Sequence, residues 1–414
     1  MTRHLLALTV LSTACAGPAS KAELPVAKPA KPFTTSWHRD VQPLVEVHCR
    51  TCHTTGGIGT FTLDTFEQAQ AVAQAMASSV KQGRMPPYPA SADCGGPFVD
   101  ENRLTPAEVA LFETWAEEGG PEGNPADAKV VMRPSPEVLA SVDLTLEAQS
   151  PYTPKGTDDY HCFVFDPQLT EPRFITGYEV VPGTRSQVHH VNLFSATRAE
   201  AVARDQREAG EGYTCFGSSG LPSQNMVGAW APGAQVVNYP RGTGIQLAQN
   251  QVLVLQIHYN VSAGMPKPDR TTARFSFATQ VVQAALVIPI ADNQFTVPPR
   301  VTNFTPRNHP FPLVNNLNFG GQPITARLWG LGAHMHTRGT RVTVSHDSGC
   351  VLDIPRWDFN WQRQFFRKTP LTVRPGDTLT ISCTWTNETD TPLRWGENTE
   401  DEMCIAFLYV TTST

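Results

Sequence analysis

Nitrogen and sulfur ligands recur at regular intervals in the C-terminal half of this 414-residue chain. His189 and His190 adjoin, and His258 follows His190 by 68 positions. His334 and His336 stand two apart, and Met403 follows His336 by 67 positions. Each half of the region thus offers a His pair, a near-constant interval and one more ligand. That is the pattern of two related domains, each with a three-ligand metal site. Three imidazoles suit Cu, Zn, Fe or Ni. Two imidazoles with a thioether select copper, because the soft sulfur binds Cu(I) and zinc sites rarely use Met. On a strand His334 and His336 share one face, whereas His189 and His190 point to opposite faces unless a bend or strand end intervenes. A solitary His on a strand is usually a packing or surface residue. His161, His309 and His346 are read that way, and Met335, between two ligands, is expected to pack in the core.

A second constellation lies near the start. Cys49-Arg50-Thr51-Cys52-His53 is C-x-x-C-H. Two thiols one helical turn apart can form thioethers to haem vinyl groups while the adjoining His53 reaches iron, the attachment of a c-type haem. A bare C-x-x-C also serves disulfides and zinc. The sixth iron ligand is expected at Met85, on the Pro-stiffened segment Gly83-Arg84-Met85-Pro86-Pro87. His38 and His48 are read as surface residues.

The elements that must position these groups differ along the chain. Residues 66–80 carry apolar residues at helical spacing, and Thr105-Pro106-Ala107-Glu108 opens a second helix with a capping box and Pro at its first position. From about residue 141, short Val/Ile/Thr/Phe runs alternate with Gly, Pro and Asn turns at the spacing of β-sandwiches. The fold class expected is a small all-α domain followed by two all-β sandwich domains. Boundaries are expected at 1–20 for an export or lipoprotein signal, 21–35 for a linker, 36–128 for the haem domain and 129–145 for a second linker. The β domains are expected at 146–275 and 276–414. A net charge of −6 and the lack of a basic block argue against nucleic acid as a partner.

The first twenty residues place Arg3 before a short apolar run and Ala14-Cys15-Ala16, which reads equally as export with cleavage or as lipidation at Cys15. A membrane partner is expected only through that lipid. The location expected is exported, periplasmic or cell-envelope. Export implies an oxidising compartment, where six cysteines beyond Cys15, Cys49 and Cys52 are compatible with up to three bridges.

Residues 36–128 resemble a bacterial class I-like cytochrome c domain. The matching pieces are Asp40-Val41-Gln42-Pro43-Leu44, the haem motif, the Met85 loop and the final helix with Trp115. Residues 150–414 resemble the type II copper monooxygenases, peptidylglycine α-hydroxylating and dopamine β-monooxygenase. The resemblance rests on Gln187-Val188-His189-His190-Val191, Ala229-Trp230-Ala231-Pro232-Gly233, Gln256-Ile257-His258-Tyr259, Ala333-His334-Met335-His336-Thr337-Arg338-Gly339 and Glu402-Met403-Cys404.

That second resemblance implies two jelly-roll domains and two copper ions facing each other across a solvent-filled cleft. His189, His190 and His258 would hold the electron-transfer copper; His334, His336 and Met403 would hold the one that activates O2 and act as the catalytic set. It implies bridges Cys383–Cys404 and Cys162–Cys215. Cys94 and Cys350 have no family counterpart and either stay free or pair with each other, clamping the haem domain to the copper domain.

The family's peptide-amidating members hold a substrate carboxylate with Arg, Asn and Tyr. The matching positions here are Gly332, Ile405 and Phe407. The substrate expected is therefore a small apolar or aromatic molecule rather than a glycine-extended peptide. The function expected is hydroxylation of an activated C–H bond with O2. Electrons would come through the fused haem, from an external redox protein or an ascorbate-like reductant. The competing expectation is a non-catalytic electron carrier or copper-binding protein on the same scaffold.

Overall fold

The computed structural model of the protein describes residues 33–412 apart from 56–58, 100, 132–137, 232–233, 235, 262–263, 308–310, 313–324, 360 and 399. The expected signal with Cys15, most of the first linker, His309 and the Pro232-Gly233 pair lie outside the described residues.

Helices come first. They are α1 (Gln42–His48), α2 (Phe66–Ala71), α3 (Ala73–Lys81) and α4 (Pro106–Glu117). The expected capping box opens α4: the Thr105 hydroxyl accepts from the Glu108 amide, and the Glu108 carboxylate accepts from the Thr105 amide. Gly119 and Gly120, both at positive φ, end it. The helix expected over 66–80 is broken at Val72, whose backbone leaves the helical region at φ −117° and ψ 14°. A second capping box, Thr65 with Gln68, starts its first half. Trp37, Val45, Met76, Phe112 and Trp115 close a small apolar core between these helices, with the Trp37 and Trp115 rings 5.8 Å apart.

The β region follows. Its first half holds β1 (Leu144–Glu147), β2 (Asp158–Phe165), β3 (Arg173–Val181), β4 (Val188–Thr197), β5 (Tyr213–Thr214) and β6 (Asn225–Trp230). Then come β7 (Val237–Asn238), β8 (Thr243–Leu247), β9 (Gln251–Asn260) and β10 (Thr272–Ala278). Helix α5 (Arg198–Asp205) sits between β4 and β5. The second half holds β11 (Gln283–Ala291), β12 (Thr296–Val297), β13 (Val301–Phe304), β14 (Phe311–Pro312), β15 (Ala326–His334) and β16 (Gly339–His346). The last five are β17 (Gly349–Ile354), β18 (Phe365–Val373), β19 (Thr378–Asn387), β20 (Leu393–Arg394) and β21 (Ile405–Thr412).

Alternating burial along strands such as β19 gives each sheet one apolar face, and two cores form on those faces. Each half has its own five-stranded sheet, β5-β2-β9-β4-β6 in the first and β13-β19-β16-β17 with β14 in the second. The opposing layer is shared. One nine-stranded sheet runs β1-β10-β3-β8-β11-β21-β15-β18, with β7 on β3. The two halves join where β8 and β11 pair in parallel. The chain turns from one half to the other without a break in backbone hydrogen bonding.

Between α3 and α4 the chain leaves the helices and straps across the second β half. Ser91 donates to Asp353 O at 2.6 Å, Val99 donates to Phe366 O at 2.8 Å, and Lys368 donates to Pro97 O at 3.0 Å. Tyr88, Ala90 and Phe98 are buried in that half's core, each aromatic ring contributing about 2 kcal/mol. A disulfide joins Cys94 to Cys350. The clamp that the sequence left open is thus made, and Cys162–Cys215 and Cys383–Cys404 are bridged as the resemblance implies.

Candidate metal centre

His190 and His258 face each other across the antiparallel β4–β9 pair. The register slips between Val188 and His190, leaving His189 as the extra residue of a β-bulge. The bulge answers the difficulty posed by adjacent histidines, because it swings His189 to the side on which its neighbour points. His189 Nδ1 lies 3.2 Å from His190 Nδ1 and 3.0 Å from His258 Nδ1. The ring of Tyr160 stacks on His258 at 4.0 Å, and Phe359 stacks on His189 at 4.5 Å.

Tautomers follow from the outer partners. His258 Nε2 donates to Asp158 Oδ1 at 2.9 Å, so its Nδ1 presents a lone pair to the other two rings. Burial, reinforced by the neighbouring imidazoles, holds the His189 pKa down at about 3 and that of His190 well below its ordinary value. Neutral rings aiming nitrogen at one point repel one another unless a cation lies between them. The donor set therefore fits a metal ion.

The second trio is built where β15 ends and β21 begins. The His334 and His336 rings are 5.1 Å apart. His334 Nδ1 bonds Gln362 Oε1 at 2.7 Å and His336 Nδ1 bonds Asp401 O at 2.9 Å, so a metal held here would meet their Nε2 atoms. Burial lowers both pKa values, His334 to about 3. Met403 is buried beside them on the wall of one cavity of about 880 Å³, which His190 also lines. Two oxygens of the fully buried Glu402 tie the trio together. They accept from the His336 and Arg338 amides at 3.0 and 2.7 Å and from Trp385 Nε1 at 2.8 Å. Burial raises the Glu402 pKa while those donors pull it back. The Cys383–Cys404 bridge pins the residue after Met403.

The trios are closer than a wide cleft requires. The His190 and His334 rings approach to 6.1 Å, and Phe359 lies between His189 and His336. The reason is the segment Arg356–Gln362, folded in from the second half. Trp357 Nε1 donates to His336 O, Phe359 stacks on His189, and Gln362 holds His334. The same segment reaches the helical part, with Arg356 donating to Gln82 O and Gly83 O and Trp361 Nε1 to Pro87 O. Met85 sits within that docked loop with its side chain exposed.

Cys49 follows α1 and Cys52 lies in the next turn. Both thiols are free, whereas the other six described cysteines are bridged. Burial pushes the Cys49 thiol up to about 12. His53 is buried with Nδ1 bonded to Phe61 O at 3.0 Å, which leaves its Nε2 for another partner. His161 and Met335 are buried packing residues, as read from the sequence, and His346 pairs with Asp377.

Asp158, Phe359 and Gln362 lie outside every motif, and nothing in their spacing marks them. Glu402 stood beside Met403 within a quoted motif, and an acid next to a ligand was the one available signal.

The chain matches the N-terminal domain of copper type II ascorbate-dependent monooxygenases over residues 144–265 and their C-terminal domain over 315–413. Tyramine beta-hydroxylase of Caenorhabditis briggsae is 24% identical over 304 residues, 68% of this chain and 48% of that protein. DBH-like monooxygenase protein 1 of Homo sapiens is 22% identical over 282 residues, 62% and 44% of the two chains. Dopamine beta-hydroxylase of Homo sapiens is 25% identical over 301 residues, 67% and 47%. The chain spans about half the length of the curated relatives it matches. Among solved structures, the major capsid protein P2 from Bacteriophage PM2 aligns with a TM-score of 0.25 and 8% identity over 66% of this chain and 98% of that one, too slight a likeness to bear on the fold.

Proposed function

Because the chain belongs to the copper type II ascorbate-dependent monooxygenase family, we propose that it is an exported enzyme that hydroxylates an activated C–H bond of a small molecule with O2. The observation that carries this reading is the convergence of three Nδ1 atoms beside a cavity walled by His334, His336 and Met403. His189, His190 and His258 would hold one copper ion, and His334, His336 and Met403 the other. When bound, copper supplies one-electron exchange with O2, one oxygen atom entering the substrate and the other leaving as water with two electrons consumed. The protein's own part is orientation. Asp158 fixes the His258 tautomer, Gln362 and Asp401 fix those of His334 and His336, and Glu402 locks the Met403 turn to the His336 backbone.

The two electrons would come through a covalent c-type haem on Cys49 and Cys52, with His53 and Met85 as its axial ligands. Two free thiols where the other described cysteines are bridged, and a His53 whose Nδ1 is already engaged, fit that group. The bridging segment Arg356–Gln362 supports a supply from the helical part, since it touches the Met85 loop and both trios. An external redox protein or ascorbate-like reductant would reduce the haem. Three disulfides support export, and among the described residues no helix is long and apolar enough to cross a membrane.

The test is O2 consumption coupled to a product heavier by one oxygen atom. Met403→Ala should abolish turnover and leave the haem spectrum unchanged. If it altered copper content alone, with no turnover in the parent protein, the chain would be a carrier. A pyridine haemochrome assay on the purified protein tests the haem directly.

A further inference from the structure

The cavity beside the second trio has a graded wall that follows from sheet register. Strands β21, β15 and β18 lie side by side, with His334 opposite Ile405, Gly332 opposite Phe407, and Gly330 opposite Phe366. Alternate residues share a face, so His334, Gly332 and Gly330 lie on one face of β15, and the first two of them line the cavity. The room that side chains at these glycines would need is already filled. A Cβ on Gly332 would come within 2.7 Å of Gln364 Nε2, and one on Gly330 within 2.6 Å of Phe366 Cδ1. Gln364 and Phe366 are laid over the glycines, and Ile405 and Phe407 flank them.

Around Gly332, therefore, the wall formed by Gln364, Phe366, Ile405 and Phe407 is neutral and mostly apolar. The position where amidating relatives carry a cation is Gly332, and its space is taken by the amide of Gln364. Four basic residues line the cavity, Arg241, Arg363, Arg367 and Lys368, against one carboxylate, Glu397. Arg367 and Lys368 lie just past Phe366 on β18, whose outer edge is pinned by the strap through Val99 and Pro97. Gly330 is four positions from His334, a span of roughly 13 Å, and this rim lies just beyond it.

We propose that the substrate is an extended organic acid whose apolar body lies against Ile405, Phe407 and Phe366, with its C–H end at His334, His336 and Met403 and its anionic group at Arg241, Arg367 and Lys368. The inference rests on the monooxygenase reading and names its substrate class. A cationic amine of the same length would meet like charge at the rim.

The test uses the full copper-loaded chain and calorimetric titration with 6-phenylhexanoate, 6-phenylhexylamine and 6-phenylhexanol. The acid should bind about tenfold tighter than the amine, with the alcohol between them, and the gap should narrow as salt rises. Lys368→Gln, an exposed change, should remove roughly a threefold share, and adding Arg367→Gln most of the remainder. Phenylacetate and benzylamine, too short to reach from the trio to the rim, should bind alike. An amine that binds as tightly as the acid, a preference that survives both substitutions, or a tenfold preference for phenylacetate over benzylamine would overturn the proposal. Metal analysis on the same samples separates the two readings. Two coppers with an amine preference would sink only the substrate class, whereas an acid preference without copper would sink the monooxygenase.

Discussion

Asp158 is the residue through which the first trio can be tested most cleanly. Its Oδ1 accepts from His258 Nε2 at 2.9 Å, and the His258 side chain is 2% exposed while that of Asp158 is 26% exposed. The carboxylate does two things: it keeps the ring proton on Nε2, and it stabilises the positive charge that a bound metal places on the ring. Asp158→Asn retains an acceptor but loses the charge. A charge-assisted hydrogen bond is worth about 1.4 kcal/mol more than a neutral one, so copper affinity at this site should fall about tenfold. Asp158→Ala removes the acceptor as well, freeing the proton to move to Nδ1, and the loss should reach about a hundredfold. The measurement is a chelator competition on the metal-stripped protein, resolved into two binding steps. The His334, His336 and Met403 step is the internal control, because none of those residues bonds Asp158. Two variants within about threefold of the parent protein would refute the tautomer argument. Equal weakening of both steps would refute it too, by showing a general loss of fold instead.

Three other outcomes follow from the same structure. Glu402→Gln sets an amide N–H2 against buried donors and should cost at least about 3 kcal/mol in urea unfolding, with weaker copper at Met403; a change under about 1 kcal/mol would count against the role given to it. Cys94→Ser opens a crosslink spanning 256 residues and should lower stability by about 3–5 kcal/mol, read as a lower thermal midpoint. His161 is buried, donates from Nε2 to Glu211 O at 2.9 Å and has no partner at Nδ1, and burial lowers its pKa. The unfolded chain therefore binds more protons below about pH 6.5, and stability should fall as pH drops from there. His161→Phe should cost about 1 kcal/mol at pH 8, from the lost hydrogen bond, and show a shallower acid decline; an unchanged slope between pH 7 and 5 would contradict the assignment.

Side-chain chemistry was the legible part of this molecule. The six proposed ligands stand out because copper chemistry restricts residue type and because a His pair and a lone ligand recur at nearly the same interval. The α4 cap was legible for a similar reason, as Thr105, Pro106 and Glu108 act within one turn. What escaped was whatever depends on pairing across long stretches of chain. The bulge at His189 exists only relative to β9, and no property of Val188-His189-His190 alone reveals it. Asp158 serves His258 from a hundred residues away, and Phe359 and Gln362 arrive on a segment without a motif. The partner of Cys94 could not be chosen from spacing, since connectivity is a property of the folded chain. The single sheet running through both β halves escaped too: β8 and β11 look like ordinary strands, and their parallel contact has no local signature.

The strap that pairs with β18 carries a practical consequence. Strand β18 ends the nine-stranded sheet, and Val99 and Pro97 satisfy its outer backbone groups while Tyr88 and Phe98 fill sockets in the underlying core. A fragment cut to begin at the copper region would bare a hydrogen-bonding ribbon beside two vacant aromatic holes, an invitation to stack chain upon chain. Recombinant work on the β region alone should therefore retain the preceding hundred residues, or graft a substitute for the strap, if soluble monomers are wanted.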